Sequence, residues 1–318
     1  MPRLSLRAIT LFVFEGAALA SVAAWGIGRL VSDRWVWSQW LAWIPSLAAL
    51  AVVAVALAVG WALGRSVRSV RPALLALSTV ALLVAMLRDD LGVRAGRPTA
   101  DGVRLLQWNT NWPAGDDARS AQALARESVD LVLISNRGAI TSPDIVRQWA
   151  GPQARVVGAG PFALVTTMPV REARQVFAGG TPGSRWWIAR FEVLPPAWNG
   201  RPLRIAMVDL PSRPSLSRAT VAAWLREACE QGSLGEFDVV AGDFNATDGS
   251  VILRSCFPKC RDALSDAGTG WLATWPRRFP LWKIDHVLVA PAIEVEEGRT
   301  VDPGVGDHRM TRVTLRPR

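Results

Sequence analysis

Residues 37–64, opening WSQWLAWIPSLAALAVV, run for 28 positions without an Asp, Glu, Lys or Arg. A helix needs about 20 apolar residues to cross a hydrocarbon layer ~30 Å thick, so this run has length to spare for a membrane. It is flanked by a second apolar run at residues 8–31, interrupted only by Glu15 and Arg29, and by a third from Pro72 to Leu87. Together they predict a membrane anchor of three transmembrane helices within residues 1–88. The competing reading is a buried hairpin in the core of a soluble domain. Trp35, Trp37, Trp40 and Trp43 gather at one end of the uncharged run, as in an interfacial aromatic belt. A cleaved signal peptide fits poorly, because no small-residue cleavage site follows a short apolar core. Glu15 is ionisable within an apolar run, but it lies near one end and is expected to reach the interface.

Arginine placement sets the expected topology. Arg3 and Arg7 precede the first run, and Arg65, Arg68 and Arg71 lie between the second and third, while Arg29 and Arg34 are offset by Asp33. With three spans, the positive-inside rule places the N-terminus in the cytoplasm and everything after residue 88 outside, against the pull of Arg88, Arg94 and Arg97. With two spans, the rest of the chain faces the cytoplasm.

The formal charge of +9 would suggest a nucleic-acid binder if it were evenly spread. It is not. Residues 1–100 carry ten Lys/Arg against four Asp/Glu, whereas residues 101–318 carry 26 against 23. The basic excess belongs mostly to the apolar third, and the remainder lacks the basic stripe that a phosphate backbone requires.

Residues 89–102 (DDLGVRAGRPTADG) are polar and non-periodic, and read as a linker. From 103 to 318 short apolar runs alternate with helical stretches: VRLLQW, DLVLIS, FALVTT, WWIARFEV, LRIAMVD, FDVVAGDFN, KIDHVLVAP and RMTRVTL as strands, DDARSAQALARES and SLSRATVAAWLREACEQ as helices. Asp116 or Asp117 would cap the first helix and Gly232 would end the second. The pattern is that of an α/β domain. Cys229 reads as a small core residue. Cys256 and Cys260 are four apart, a spacing open to a disulfide outside the cytoplasm, and zinc is disfavoured because no histidine is near.

Four strands run out into acidic or amide residues: QWNTNW (107–112), VVAGDFNA (239–246), KIDHVLV (283–289) and GVGDHRM (304–310). Residues two apart on an extended chain share a face, so Asp243 pairs with Asn245 and Asn109 with Asn111. Carboxylates and amides gathered at strand ends are hard-oxygen ligands suited to Mg²⁺ or Mn²⁺. Any one such dipeptide is ordinarily a turn. Four in order within one α/β domain point to a site.

These segments, W-N-x-N, G-D-F-N, I-D-H and G-D-H, together with Thr274–Pro276 (T-W-P), resemble the endonuclease/exonuclease/phosphatase family across residues 103–318. The resemblance implies a four-layered α-β-β-α sandwich that cleaves phosphate esters with Mg²⁺ or Mn²⁺. With the apolar N-terminal third, the chain is similar to a membrane-bound bacterial subgroup that includes teicoplanin-resistance-type proteins, some of which act on lipid-linked phosphates. That implies a bacterial cell-membrane location, with the lipid bilayer and a phosphate-bearing substrate as partners and nucleic acid disfavoured. It also implies roles. Asn109 and Asp307 would hold the metal, Asp243 would polarise the attacking water, Asn245 would position it or the phosphate, and His308, oriented by Asp285, would contact the scissile phosphate. His286 matches no family role and reads as structural.

Two positions depart from the family pattern. Where a metal-binding glutamate ends the second strand, this chain has Asn136, whose amide can coordinate Mg²⁺ but brings no charge. Where the family has a histidine after the strand preceding the long helix, this chain has Asp209. Asp209 would compensate for Asn136 by supplying the missing anion; the opposite reading is a phosphate-binding or scaffold domain that has lost turnover, and a nuclease is a third. Trp108, Trp112, Trp186 and Trp187 read as core or as the walls of an apolar cleft.

Overall fold

The computed structural model describes residues 5–64, 70–94, 96, 99–111, 117–181, 184–232 and 234–318. Arg3, Arg65, Arg68, Arg97, Trp112 and Asp116, used above, lie outside the described residues, as does the side chain of Arg71. The chain divides into two units, one ending at Asp90 and the other beginning at Leu91.

The first unit is helical: α1 (Leu6–Val31), α2 (Val36–Ala42), α3 (Ser46–Ala62) and α4 (Val70–Ala85). Among the described residues, only α1 is long and apolar enough by itself to cross a membrane, which corrects the expectation of three spans. The uncharged run 37–64 is two helices, α2 and α3, bent by 64° at the break between them. Pro45 explains the break, since it has no N–H for the helical ladder and disfavours helix in the residue before it. The 16 residues of α4 rise only ~24 Å, short of the hydrocarbon thickness. Ala18, Ala49, Val53 and Ala56 are buried where the helices meet, small residues that let backbones approach. Glu15 is buried rather than at an interface. Trp35, Trp37 and Trp40 are exposed.

The second unit holds two mixed sheets. Its strands are β1 (Leu91–Val93), β2 (Val103–Asn109), β3 (Leu131–Ser135), β4 (Arg155–Ala159), β5 (Phe162–Thr166), β6 (Val170–Gly179), β7 (Trp186–Val193), β8 (Leu203–Asp209), β9 (Val239–Asp243), β10 (Arg261–Asp262), β11 (Gly268–Trp271), β12 (Asp285–Val289), β13 (Ile293–Val301) and β14 (Met310–Pro317). One sheet has the order β1-β11-β13-β14-β2-β3-β5-β4, the other β10-β12-β9-β8-β7-β6. Helices α5 (Asp117–Ala125), α6 (Pro143–Ala150), α7 (Arg218–Gln231), α8 (Val251–Cys256) and α9 (Ala263–Ala267) complete it.

Alternation along the strands produces the layers. Leu105, Leu131 and Leu133 of the first sheet meet Ile205, Met207, Ala241 and Val287 of the second in one core between the sheets. The intervening Leu106 and Val132 pack outward with Leu124 of α5 and Val146 of α6. Ala206, Val208 and Val240 pack outward with Val221 and Leu225 of α7. Both faces of the central strands are buried, so these strands read as nearly unbroken apolar runs. Ser217 caps α7, accepting from the Thr220 N–H.

Part of the stretch read as a linker belongs to this unit. β1 pairs antiparallel with β11. The Thr99 N–H donates to Glu296 at 2.9 Å, and Trp198 Nε1 donates to the Asp101 carbonyl at 3.1 Å. All three cysteines are free thiols, so Cys256 and Cys260 form no disulfide. Trp108 and Trp186 are core residues, buried on outward strand faces.

Candidate active site

Three carboxylates line up across adjacent strands. Asp243 ends β9 and faces Asp285 across the antiparallel pair with β12, and Asp209 sits beside Asp243 on parallel β8. Met207, Ala241 and Val287, two residues away on the same faces, lie in the core between the sheets. The carboxylates therefore crown that core and face the other sheet. Asn109 stands opposite at the end of β2, in register with Ser135 of β3. Its Nδ2 donates to Asp243 Oδ2 at 2.9 Å, bridging the two sheets.

Local backbone chemistry shapes these ends. Asn111, Asn136 and Asn245 all adopt positive φ, at 47°, 57° and 47°. Asparagine is among the few residues that tolerate this left-handed region, so each strand can turn sharply and present its amide at the site. Gly242 has φ 142°, and a Cβ there would meet the Val208 carbonyl at 1.9 Å. The glycine of G-D-F-N thus lets β9 lie close to β8.

Amides and hydroxyls fix the carboxylates. Asn109 Oδ1 accepts from Asn136 Nδ2 at 3.0 Å and from the Asn111 N–H at 3.0 Å. Asn111 Nδ2 donates to Asp307 Oδ2 at 2.8 Å. The Asn245 N–H donates to Asp243 Oδ1 at 2.8 Å, and its side-chain amide donates to the Leu210 carbonyl at 2.8 Å. Buried Thr274 accepts from the N–H groups of Ile284 and Asp285, both at 3.2 Å. The T-W-P motif was visible in the sequence, but this anchoring of Asp285 was not.

His308 Nδ1 lies 2.8 Å from Asp285 Oδ2. Its Nε2 faces Asp243 Oδ2 and Asp307 Oδ1, each at 3.9 Å. Burial alone would depress the ring's basicity, but Asp285, then Asp243 and Asp307, outweigh it and hold the pKa at about 10. Burial, reinforced by Asp285, pushes Asp243 up to about 7 against the pull of His308, the Asn245 N–H and Asn109. Burial and the neighbouring Asp243 push Asp209 up to about 8, partly offset by the nearby Asn136 side chain and His308. The site is over-supplied with negative groups and retains protons to compensate.

The donor set fits a hard divalent cation. Asn136 Oδ1, Asp285 Oδ1 and Asp307 Oδ1 are buried oxygens with no hydrogen-bond partner among the described residues. Buried acceptors of this kind ordinarily find a donor, a water or a cation. The oxygens come from carboxylates and amides, as Mg²⁺ or Mn²⁺ prefers. Asp243, Asp285 and His308 also present atoms within 4.8 Å of one another, but a ring kept protonated by Asp285 is no metal ligand. The eight positions singled out in the sequence, Asn109, Asn136, Asp209, Asp243, Asn245, Asp285, Asp307 and His308, are brought together by this network of contacts.

The sequence profile of the Endonuclease/Exonuclease/phosphatase family matches residues 106–308. Among solved structures, the chain is similar to an endonuclease/exonuclease/phosphatase family protein from Bacteroides thetaiotaomicron, at 15% identity over 70% of this chain and 96% of that one, with TM-score 0.53. It is similar to another from Bacteroides vulgatus, at 18% identity over 68% of this chain and 99% of that one, with TM-score 0.50. D. rerio TDP2 complexed with single-strand DNA product matches at 13% identity over 68% of this chain and 99% of that one, with TM-score 0.53. No curated protein sequence matches the chain. At these identities the structural likeness speaks for the fold alone, while the profile covers every strand end that carries the site; the chain belongs to the endonuclease/exonuclease/phosphatase family.

Proposed function

We propose that the protein is a membrane-tethered, divalent-metal-dependent phosphoesterase that hydrolyses a phosphate ester or diphosphate. The observation that carries this reading is the in-register row Asp209, Asp243 and Asp285, faced by Asn109 and by the Asp285-bound His308. Asp243 accepts a proton from the attacking water, and its Oδ1, held by the Asn245 N–H, fixes the line of attack. The Asn245 side chain orients the water or a phosphoryl oxygen. His308, cationic and fixed by Asp285, neutralises the phosphate and protonates the leaving oxygen. Asn109, Asn136 and Asp307 would hold Mg²⁺ or Mn²⁺, and Asp209, beside Asp243 on the neighbouring strand, would contribute the anion that Asn136 lacks. The bound metal supplies charge neutralisation at the phosphoryl oxygens.

The apolar α1 supports a location at a cell membrane, where phosphates carried on lipids are the accessible substrate class. An odd number of spans places the C-terminal domain opposite the N-terminus and an even number on the same side, so a C-terminal reporter fusion settles its compartment. The near-neutral balance of residues 101–318 argues against nucleic acid, although D. rerio TDP2 shares the fold and was solved with DNA product.

The test is a phosphoester screen of the full-length protein in detergent, with Mg²⁺, Mn²⁺ or chelator. Metal-dependent phosphate release supports the reading; equal release with chelator overturns it. A second reading, a phosphate-binding or scaffold domain without turnover, is favoured by Asn136 and Asp209 standing where the family has a glutamate and a histidine. In that case Asn136→Glu with Asp209→His creates activity where the unaltered protein has none.

A further inference from the structure

A second cluster of charges lies behind the catalytic row. His286 follows Asp285 in β12, so its side chain leaves the opposite face of the sheet, and it is fully buried. Its Nδ1 lies 2.8 Å from Asp262 Oδ2, and its Nε2 lies 2.9 Å from the Ala246 carbonyl oxygen. A carboxylate and a carbonyl only accept, so both ring nitrogens must carry hydrogen. Asp262 cannot be the donor, because Lys283 and His286 outweigh its burial and keep its carboxyl well below the usual range.

Lys283 completes the group. Its Nζ lies 2.9 Å from Asp262, 3.0 Å from Asp248 and 2.8 Å from Ser265 Oγ. Asp248 Oδ1 also approaches His286 Nδ1 at 3.9 Å, and Phe244 meets the imidazole edge-on at 5.4 Å. Two cations meet two carboxyls: Asp262 is held ionised, while burial and Asp262 raise Asp248 against the pull of Lys283 and His286. Asp248, Asp262 and His286 offer atoms within 4.8 Å of one another, a spacing that would suit a metal. The Lys283 ammonium already fills that role between the two carboxylates.

The cluster touches the proposed chemistry at one atom. Ala246 follows Asn245 on the turn that carries Asp243 and Asn245, and His286 is the group that holds its carbonyl. On the same side, the Phe244 N–H donates to the Ile284 carbonyl at 3.0 Å, between Lys283 and Asp285. Two buried cations facing two half-buried carboxyls are a poor device for stability, since desolvation offsets much of their attraction. They are a good device for fixing a position.

We infer that His286 is a positioning residue whose two ring N–H groups are claimed by Asp262 and the Ala246 carbonyl, and that it sets the Asp243–Asn245 turn by gripping that carbonyl through Nε2. Its effect on rate rests on the phosphoesterase reading above; its charge state does not.

The chain contains only two histidines, so ¹⁵N-histidine labelling of the full-length protein in detergent yields two sets of ring signals. The expected spectrum shows His286 with both ring nitrogens protonated at pH 7. A neutral tautomer at pH 7 overturns the inference. Rate is read with two variants. In His286→Gln the amide nitrogen falls near the position of Nε2 and keeps a donor for Ala246; in His286→Asn it falls near Nδ1 and does not. Both lose the same charge, so both lower the melting temperature alike. With His286→Asn, kcat falls about 10–100-fold with KM and Mg²⁺ affinity unchanged, whereas His286→Gln loses at most about 3-fold. Equal losses in kcat reduce His286 to a structural role and overturn the positioning claim. Absence of turnover in the unaltered protein overturns the phosphoesterase reading and the rate effect with it, while the spectrum still decides the charge state.

Discussion

Strand β12 carries one histidine–carboxylate cluster on each side, and the two are built to opposite specifications. On the face toward the other sheet, His308 stands among Asp209, Asp243, Asp285 and Asp307, one cation amid four carboxyls. On the far face, Lys283 and His286 meet Asp248 and Asp262, two against two. The balanced cluster gives each nitrogen an acceptor. The unbalanced one leaves buried oxygens on Asn136, Asp285 and Asp307 unmatched and pushes Asp209 and Asp243 to retain protons. Charge that closes on itself makes an anchor. Charge left uncompensated makes a place for a cation, and only with that cation does it tolerate a phosphate.

Four experiments bear on that contrast. The largest effect belongs to the unbalanced side: Asp243→Ala lowers kcat by about 10²–10⁴-fold at saturating Mg²⁺. Full activity in that variant removes Asp243 from the chemistry. Next, Lys283→Met breaks the balanced side and leaves the half-buried Asp248 and Asp262 without their cation, destabilising the protein by about 2–4 kcal/mol in thermal or denaturant unfolding. An unchanged midpoint would mean the cluster anchors nothing. Third, Asp209→Asn weakens Mg²⁺ or Mn²⁺ binding about 10–100-fold by calorimetric titration, while Asn136→Glu strengthens it. Identical affinities in all three proteins would dissociate both positions from the metal.

The fourth experiment reads the pH dependence of stability. Asp209 and Asp243 titrate near 8 and 7 when folded but near 3.8 when unfolded, so the folded state holds the extra protons and their contribution to stability declines as pH climbs from about 4 to 8. His308, raised to about 10, contributes stability below pH 6.5 that is lost as pH rises through 10. Both trends share a sign. The metal-free protein therefore melts at progressively lower temperature from pH 5 to 9, and Mg²⁺ restores most of the loss. A metal-free profile that rises over this range contradicts the assignment of uncompensated charge.

Much of this contrast was written in local sequence, though unequally. The inner row was legible because W-N-x-N, G-D-F-N, I-D-H and G-D-H keep their chemistry within a few residues of a strand end. His286, which matches no family role, lies apart from Asp285 because alternation along β12 sends its side chain to the other face. Its partners were not visible, because Asp248, Asp262 and Lys283 meet only through tertiary pairing, and Asp262 sits on the two-residue strand β10. Strands buried on both faces, such as β8 and β9, stood out as apolar runs. β6 (VREARQVFAG) and β13 (IEVEEGRTV) did not, because their faces are partly solvated and their charges interrupt the pattern. The membrane segment failed differently. Hydropathy over 37–64 counted apolar residues correctly but could not weigh one proline, which divides the run into two helices at an angle.

The pairing of Leu91–Val93 with Trp271–Thr269 decides where the second unit can be cut free. A soluble fragment begun at Val103, the natural choice from hydropathy, strips this ribbon from the outer margin of the eight-stranded sheet and bares a row of unsatisfied backbone groups along β11. Such margins recruit further copies edge to edge. Expression trials that start before Leu91 should therefore yield monodisperse material, where those that start twelve residues later give oligomers or precipitate.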